Sequence, residues 1–382
     1  MKRGPVLAFV LCVIASLDCG AQWEQMREHV EFLSCAAMEG RKAGSEGETG
    51  SAAYFSEMLE KYGLDLLYPS EGDIFGIKGA DTTLVSRNVA GFIPGYDAVL
   101  RNQYVLIGAR LDNLGTYTVT VDGHPVVRIC NGANGNASGL AMALALAERL
   151  SADRVILRRS VIVAAFGATL EQNAGAWYFL NRSFVDAANI AAMVNLEMVG
   201  TGQSGFYAYT SSNESLNKVV EELNGTLQRV KPRLVAYEPV ASCHRAFYEK
   251  QIPSVMFTTG MYPEYNSDKD VADIIDYADM ERELDYVYNL VVALCNADSR
   301  PSFLKETPVR RNSADAVSFY DCDRKPSFLG RSDPSAFLKE WVYRYLRYPE
   351  SAVREGVQGR VLVDFVIDEK GDVCCVSVAK GV

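Results

Sequence analysis

Four short segments are apolar almost throughout: YVLIGA (residues 104–109), SVIVAAF (160–166), IAAMVNLEMV (190–199) and SVMFT (254–258). A strand with one wet face alternates apolar and polar residues. These do not, so both faces of each must be covered. Stretches with helical periodicity separate them, and helices are expected over 136–151, 172–181, 214–230 and 278–296. Strands covered on both faces and joined through helices make a mostly parallel sheet of the α/β class. Further strands are expected at 88–93 and 206–209. Residues 22–65 read as mostly helical, with Gly63 as a stop. One segment breaks the rhythm: 116–121 and 126–130 read as a hairpin around Asp122-Gly123-His124-Pro125.

Sheets of this class bind ligands at the carboxyl ends of their strands. The first long apolar run ends in GARLDNLG (108–115), which puts Arg110 and Asp112 at such an end. A formal net charge of −10 argues against a nucleic-acid or anionic-membrane surface, which needs clustered Lys and Arg. The whole chain holds three His, a small supply for metal chemistry.

The first 21 residues read as a secretory signal. Lys2 and Arg3 precede an apolar segment, residues 6–15, too short to span a bilayer, and Cys19-Gly20-Ala21 is a small-x-small cleavage site. Cleavage after Ala21 makes Gln22 the first mature residue; lipidation of Cys19 is the other reading. Seven of the nine Cys follow the signal, none paired as CxxC, and buried free thiols are the expectation for most. Residues 301–324, with Pro301, Pro308 and a polar run, read as a linker.

Several segments resemble one family. EFLSCAAMEGRKAGSEGETGSAAYFSEMLEKYGL (31–64), SRNVAGFIPG (86–95), YVLIGARLDNLG (104–115), NGANGNASGLAMALALAERL (131–150), NLEMVG (195–200) and FYEKQIPSVMFTTGMYPEYNSDKDVADIIDY (247–277) look like the M28 zinc aminopeptidases, in order and at sensible spacing. The resemblance covers roughly residues 22–298 and implies a zinc-exopeptidase-like α/β fold: a mostly parallel sheet with helices on both faces. The family holds two zinc ions with two His, a bridging Asp, a Glu and an Asp, and uses a neighbouring Glu as general base.

Matched slot by slot, these ligands are largely lost. The first His slot is Arg110 and the bridging Asp slot is Asn134. The base slot is Thr169, the zinc-Glu slot Leu170 and the second His slot Asn266. Glu197 stands in the Asp slot and could still ligate a metal, and Asp112, which supports the site in the family, is retained. Leu170 has no lone pair, and Asn134 brings no negative charge between two cations. Arg110 is a permanent cation. At about 4 Å and an effective dielectric near 20, it would repel a divalent ion by roughly 8 kcal/mol. Glutaminyl cyclases of the same fold use one zinc, but need carboxylates and a His in slots filled here by Asn134, Leu170 and Asn266.

In the alternative reading, a displaced site keeps a zinc aminopeptidase active. His124 and His244 would then be the imidazole candidates, with Glu171 and Asp112 as carboxylates. The bland readings put His124 in a polar turn, His29 in the first helix and His244 in satisfied structure. Cys243 and His244 are adjacent, but neighbours in sequence usually point apart, which argues against a nucleophile–base pair. Ser138 in NASG reads as a helix opener. Without zinc, Arg110 is expected to occupy the vacated space and pair with Glu197, a pair that could be shared with Asp112.

Residues 325–382 resemble a second family. KPSFLG followed by FLKEWVYRYLRYPESAVREGVQGRVLVDFVIDEKGDVCCVSVAKGV is similar to the C-terminal domain of TonB, with YPESAVREGVQGRVLVDFVIDEKG the specific part. It implies a small α+β module, with residues 361–367 and 373–379 as strands around a turn at 369–372. The match stops at Val382, before the helix and strand that complete the family domain. Its edge strand would be a platform for β-augmentation. The whole then reads as signal (1–21), M28-like domain (22–300), linker (301–324) and incomplete TonB-like module (325–382). The expected function is an exported, non-catalytic binding or scaffolding protein of a bacterial periplasm or envelope. It would use no cofactor, and its partner would be an unidentified peptide or envelope protein.

Overall fold

The four apolar runs become neighbours at the centre of one sheet. A computed structural model describes residues 21–78, 82–202, 205–235, 238, 240–303, 354, 362–367 and 373–380. The chain divides into two units, Met1–Glu306 and Thr307–Val382. The signal segment before residue 21 and most of the linker lie outside the described residues.

In the first unit the elements run α1 (Ala21–Leu33), a 3-10 turn (Ala36–Arg41), α2 (Glu46–Lys61), β1 (Asp65–Leu66), β2 (Asp73–Lys78), β3 (Thr83–Ile93), β4 (Tyr104–Arg110), β5 (Gly115–Val121) and β6 (His124–Cys130). They continue with α3 (Ser138–Ala152), β7 (Ser160–Phe166), α4 (Ala174–Tyr178), β8 (Ile190–Leu196), β9 (Tyr207–Tyr209), α5 (Glu214–Asn224), β10 (Arg233–Val235), α6 (His244–Glu249), β11 (Ser254–Thr258) and α7 (Tyr277–Asn296). The sheet order is β1-β3-β7-β4-β8-β11-β9-β10, with β2 also pairing antiparallel with β3, on the same edge as β1. The central β7, β4, β8 and β11 run parallel. β3 closes one side antiparallel to β7, and β9 turns antiparallel on β11.

Alternate residues of these strands feed two cores, which is why the runs are apolar almost throughout. Val105, Ile107, Val161, Val163 and Val194 face the larger core with residues of α1, α2, α3 and α7. Leu106, Ile162, Phe166 and Met193 face the smaller one with Phe179 and with Phe247 of α6. Helices therefore cover both faces, as continuous apolar strands require.

Three expected elements end early. The run at 190–199 is a strand only to Leu196, because Met198 takes a left-handed φ of 54° and the chain turns away. The helix expected over 172–181 shrinks to α4 and a π turn (Phe179–Ser183). Gln172 and Asn173 precede it at positive φ (59° and 58°), so no helix can start before Ala174. The helix expected over 214–230 stops at Asn224, and the Gly225 N–H closes it on the carbonyls of Glu221 and Glu222. β2 and α6 were not read from the sequence. The predicted hairpin is present as β5 and β6, a separate ribbon.

In the second unit β12 (Leu362–Ile367) pairs antiparallel with β13 (Val373–Lys380). Val363, Phe365, Ile367, Val373 and Val376 are exposed apolar residues on it. Among the described residues, no helix is long and apolar enough to cross a membrane.

Candidate functional site

The carboxyl ends of β4 and β8 lie side by side, because the two strands pair in parallel with Ala109 opposite Leu196. The residues just past that pairing, Arg110 and Glu197, therefore meet. Arg110 Nη2 and Nε donate to the same oxygen, Glu197 Oε1, at 2.8 and 3.2 Å. Both side chains are almost fully buried, at 3% and 2% exposure. The second carboxylate oxygen, Oε2, accepts from Ser242 Oγ at 2.7 Å, and Ser242 in turn accepts from Asn195. Burial works most strongly against the Arg110 charge, but Glu197, Tyr265 and Asp112 together outweigh it and raise its pKa above the ordinary guanidinium value.

Arg110 does not share its charge with the Asp112 carboxylate through a hydrogen bond. Nη1 reaches the Asp112 backbone carbonyl instead, at 3.3 Å. The carboxylate is turned to the next loop, where it accepts from the backbone N–H of Thr169 (2.7 Å) and Leu170 (3.1 Å). Burial raises the Asp112 pKa.

The other former slots are scattered. The Thr169 hydroxyl donates to the Phe166 carbonyl and lies 3.4 Å from Cys243 Sγ. Leu170 is 44% exposed, so its side chain does not fill a vacated metal position. Asn266 holds a left-handed φ of 58° and is half-buried. Asn134 is buried, but its Oδ1 accepts from Gly200 N (2.8 Å) and Ser138 Oγ (3.0 Å), away from Arg110. The position that faces Arg110 is the next residue. A Cβ built on Gly135 would lie 3.6 Å from Arg110 Nη2 and 3.1 Å from Tyr262 Oη. Of these two neighbouring residues, Gly135 rather than Asn134 faces Arg110.

The NASG segment does structural work. Asn136 Oδ1, Ser138 Oγ and Asn134 Oδ1 accept from the consecutive N–H groups of Met198, Val199 and Gly200. These bonds satisfy the backbone where β8 turns off the sheet. Asp270 braces the other side of the motif. Its two oxygens accept from Asn134 N (2.7 Å) and Gly135 N (3.1 Å), and Tyr262 Oη donates to it at 2.7 Å.

Two buried charges escaped the sequence reading. Arg41 is fully buried and donates to the carbonyls of Leu33, Leu111, Asn131 and Gly132. Burial and the nearby Arg110 push its pKa down to about 10. Glu48, also fully buried, accepts from Ser86 Oγ (2.6 Å) and Gly44 N (2.7 Å), and burial pushes its pKa up to about 7. Arg41 binds four carbonyls from three separate stretches of the chain, at Leu33, Leu111 and Asn131-Gly132, so no local pattern announces it. Glu48 has a local signal, since Ser45 and Glu48 stand at capping-box spacing, and the Ser45 hydroxyl does accept from Glu48 N.

The displaced site does not assemble. His29 lies between Tyr54 Oη (2.7 Å) and Tyr62 Oη (3.0 Å), its pKa lowered to about 4 by burial and by Lys61. His124 is exposed in β6. His244 is buried, edge-on to the Tyr209 ring, with Nε2 2.8 Å from Glu238 Oε1. Cys243 instead faces Thr169, and burial pushes its thiol up to about 12, so the adjacent Cys and His form no nucleophile–base pair. Among the described residues, no three His, Cys, Asp or Glu side chains are grouped to hold a metal ion.

The model of peptidase family M28 matches residues 88–291, more than half of the 382-residue chain. The chain belongs to peptidase family M28. The C-terminal domain of the Gram-negative bacterial TonB protein matches residues 344–382. Among solved structures, this M28 chain is similar to an aminopeptidase from Aneurinibacillus sp. strain AM-1, at 17% identity and a TM-score of 0.57, over 73% of this chain and 95% of that one. A zinc aminopeptidase from Bacillus subtilis is 15% identical, with a TM-score of 0.57, over 74% and 98%. A glutaminyl cyclase from Tannerella forsythia is 15% identical, with a TM-score of 0.54, over 71% and 98%. At these identities the likeness shows the fold alone. No curated protein matches.

A zinc pair does not fit the residues of this M28 site. Glu197 offers the one carboxylate in the expected place, and Arg110 and Ser242 already engage both of its oxygens. Gly135 has no side chain, and Leu170 carries no donor atom. A cation brought beside Glu197 would also meet the Arg110 guanidinium.

Proposed function

We propose that this M28 domain is non-catalytic and serves an exported bacterial protein as a binding or scaffolding unit. The observation that carries the reading is the buried Arg110–Glu197 pair at the strand ends. A guanidinium bound to the remaining acidic ligand supplies a fixed positive charge where the family's chemistry needs exchangeable metal and an activated water. The base position, Thr169, has a hydroxyl already committed to the Phe166 carbonyl. The sequence supports export through the segment ending Cys19-Gly20-Ala21, with Gln22 as the mature N-terminus. N-terminal mass analysis checks that point, and a lipidated Cys19 would place the protein on a membrane surface instead. The TonB-like match supports an envelope setting, with the β12–β13 ribbon as the surface for an extended partner segment.

The test is enzymatic. Residues 22–382, purified and supplied with zinc, should leave aminoacyl chromogenic substrates uncleaved. Turnover that a chelator abolishes would contradict the proposal and restore the aminopeptidase reading.

A further inference from the structure

The β5–β6 ribbon is a sheet of its own, and neither of its outer edges pairs with another described strand. The two edges differ. β6 carries His124, Pro125 and Arg128, and Pro125 has no N–H to donate, so this edge is blunted against pairing. β5 reads GTYTVTV, seven residues with no charge and no Pro. From Thr116 to Val121 its residues are exposed, apart from the half-buried Val119. Among the described residues, no hydrogen bond outside the ribbon's own ladder uses the backbone of 116–121. An uncharged, β-branched edge of this kind is a template for another strand. A lone two-stranded ribbon is also marginal in water and gains from further strands.

Charge selects the occupant. The chain carries −10, so two copies repel unless they meet where no charge faces another. β5 is such a place, and Asp268, beside Tyr117, is already paired with Arg128 at 3.3 Å. An antiparallel copy of β5 matches it residue by residue. Gly115 is buried against Lys42, which leaves the exposed stretch beyond it free to pair. With Val119 opposite its own copy, Tyr117 falls opposite Val121 and Thr118 opposite Thr120. Aromatic–β-branched and Thr–Thr pairs are favourable across strands, and a two-fold axis makes each pair occur twice. We propose that the chain forms a two-fold dimer in which the β5 strands of two copies pair antiparallel, giving one four-stranded sheet in the order β6-β5-β5-β6. The inference goes beyond the scaffolding reading and does not depend on whether the M28 centre is catalytic.

Sedimentation of residues 22–382 over a range of concentrations tests it. The wild type should show a monomer–dimer equilibrium with a Kd between about 1 and 100 µM, as a small interface gives. Val119→Lys sets like charges opposite each other and should weaken the dimer at least about tenfold. Val119 is half-buried and that variant could disturb the ribbon, so the decisive variant is Thr118→Lys/Thr120→Lys, at two exposed positions. It should keep the wild-type unfolding curve and sediment as a monomer. Mixing it with an equal amount of Thr118→Glu/Thr120→Glu should restore a dimer. Val127→Lys, an exposed change on β6, should leave the wild-type dimer intact. Three results would overturn the proposal. One is a wild-type chain that stays monomeric at about 200 µM, which would leave the edge to an extended segment of another protein. The second is a dimer that persists in Thr118→Lys/Thr120→Lys. The third is a mixture of the lysine and glutamate variants that stays monomeric.

Discussion

The centre of the M28 site and the braces around it have fared differently. At the centre, Glu197 is committed to Arg110, Gly135 has no side chain to offer, and the Leu170 side chain points outward, 44% exposed. Around the centre, buried acids hold the backbone. Asp112 holds the N–H groups of Thr169 and Leu170, and Asp270 holds those of Asn134 and Gly135. Glu48 forms a third brace, on Ser86 and Gly44, and a Cβ on Gly167 would lie only 2.6 Å from its Oε1. The difference is physical. On the proposed non-catalytic reading a metal ligand has no use, but an acid that satisfies buried backbone N–H groups is needed with or without a metal.

The largest test of that contrast is Arg110→Ala. It strands Glu197 in the interior with Ser242 as its remaining partner, and should cost about 3 to 5 kcal/mol in urea unfolding. Replacing both members, Arg110→Met with Glu197→Leu, should recover most of that loss, because a buried pair adds little over an apolar filling. If Arg110→Ala unfolds like the wild type, the centre is no structural tie.

The braces predict a pH effect next in size. Burial raises the Glu48 pKa to about 7, with Asp112 adding to the rise and Ser86, Gly44 and Arg87 opposing it. A carboxyl raised on folding keeps its proton in the native state while the unfolded chain releases it. Stability therefore falls as pH rises from the unfolded pKa to about 7, and is flat in this term above. Against Glu48→Gln, the wild type should lose up to about 3 kcal/mol between pH 4.5 and 8. Parallel pH profiles would show that Glu48 is no buried acid.

Asp112→Asn should cost about 2 kcal/mol, since a carboxamide offers one acceptor oxygen where two N–H groups wait. Amide exchange at Thr169 and Leu170 should accelerate with it. An effect as large as that of Arg110→Ala would erase the distinction between centre and brace.

Much of this was readable in the chain. Runs 160–166 and 254–258 are strands residue for residue, because continuous apolarity has few other outcomes at that length. The Arg110–Glu197 pair was also legible, since two strand ends in one parallel sheet leave a buried acid beside a cation. What failed was orientation over one or two residues. The sequence reading put the bridging slot at Asn134, and only the backbone path shows that its neighbour Gly135 is the one that faces Arg110. Whether Asp112 offers Arg110 its carboxylate or its carbonyl is likewise invisible in sequence. Arg41 was missed altogether, because its partners are backbone carbonyls at positions 33, 111, 131 and 132.

The smallest expected effect bears most directly on the centre. Arg110→His should not restore zinc binding, because Gly135, Leu170 and Asn266 still supply no metal ligand of the family's types. The measurement that decides the account is the metal content of the wild-type mature chain, equilibrated with excess zinc and dialysed. With Arg110 bound to Glu197, zinc should fall well below one equivalent per chain, and Glu197→Ala should not change it. One or two equivalents retained by the wild type and lost in Glu197→Ala would contradict the account.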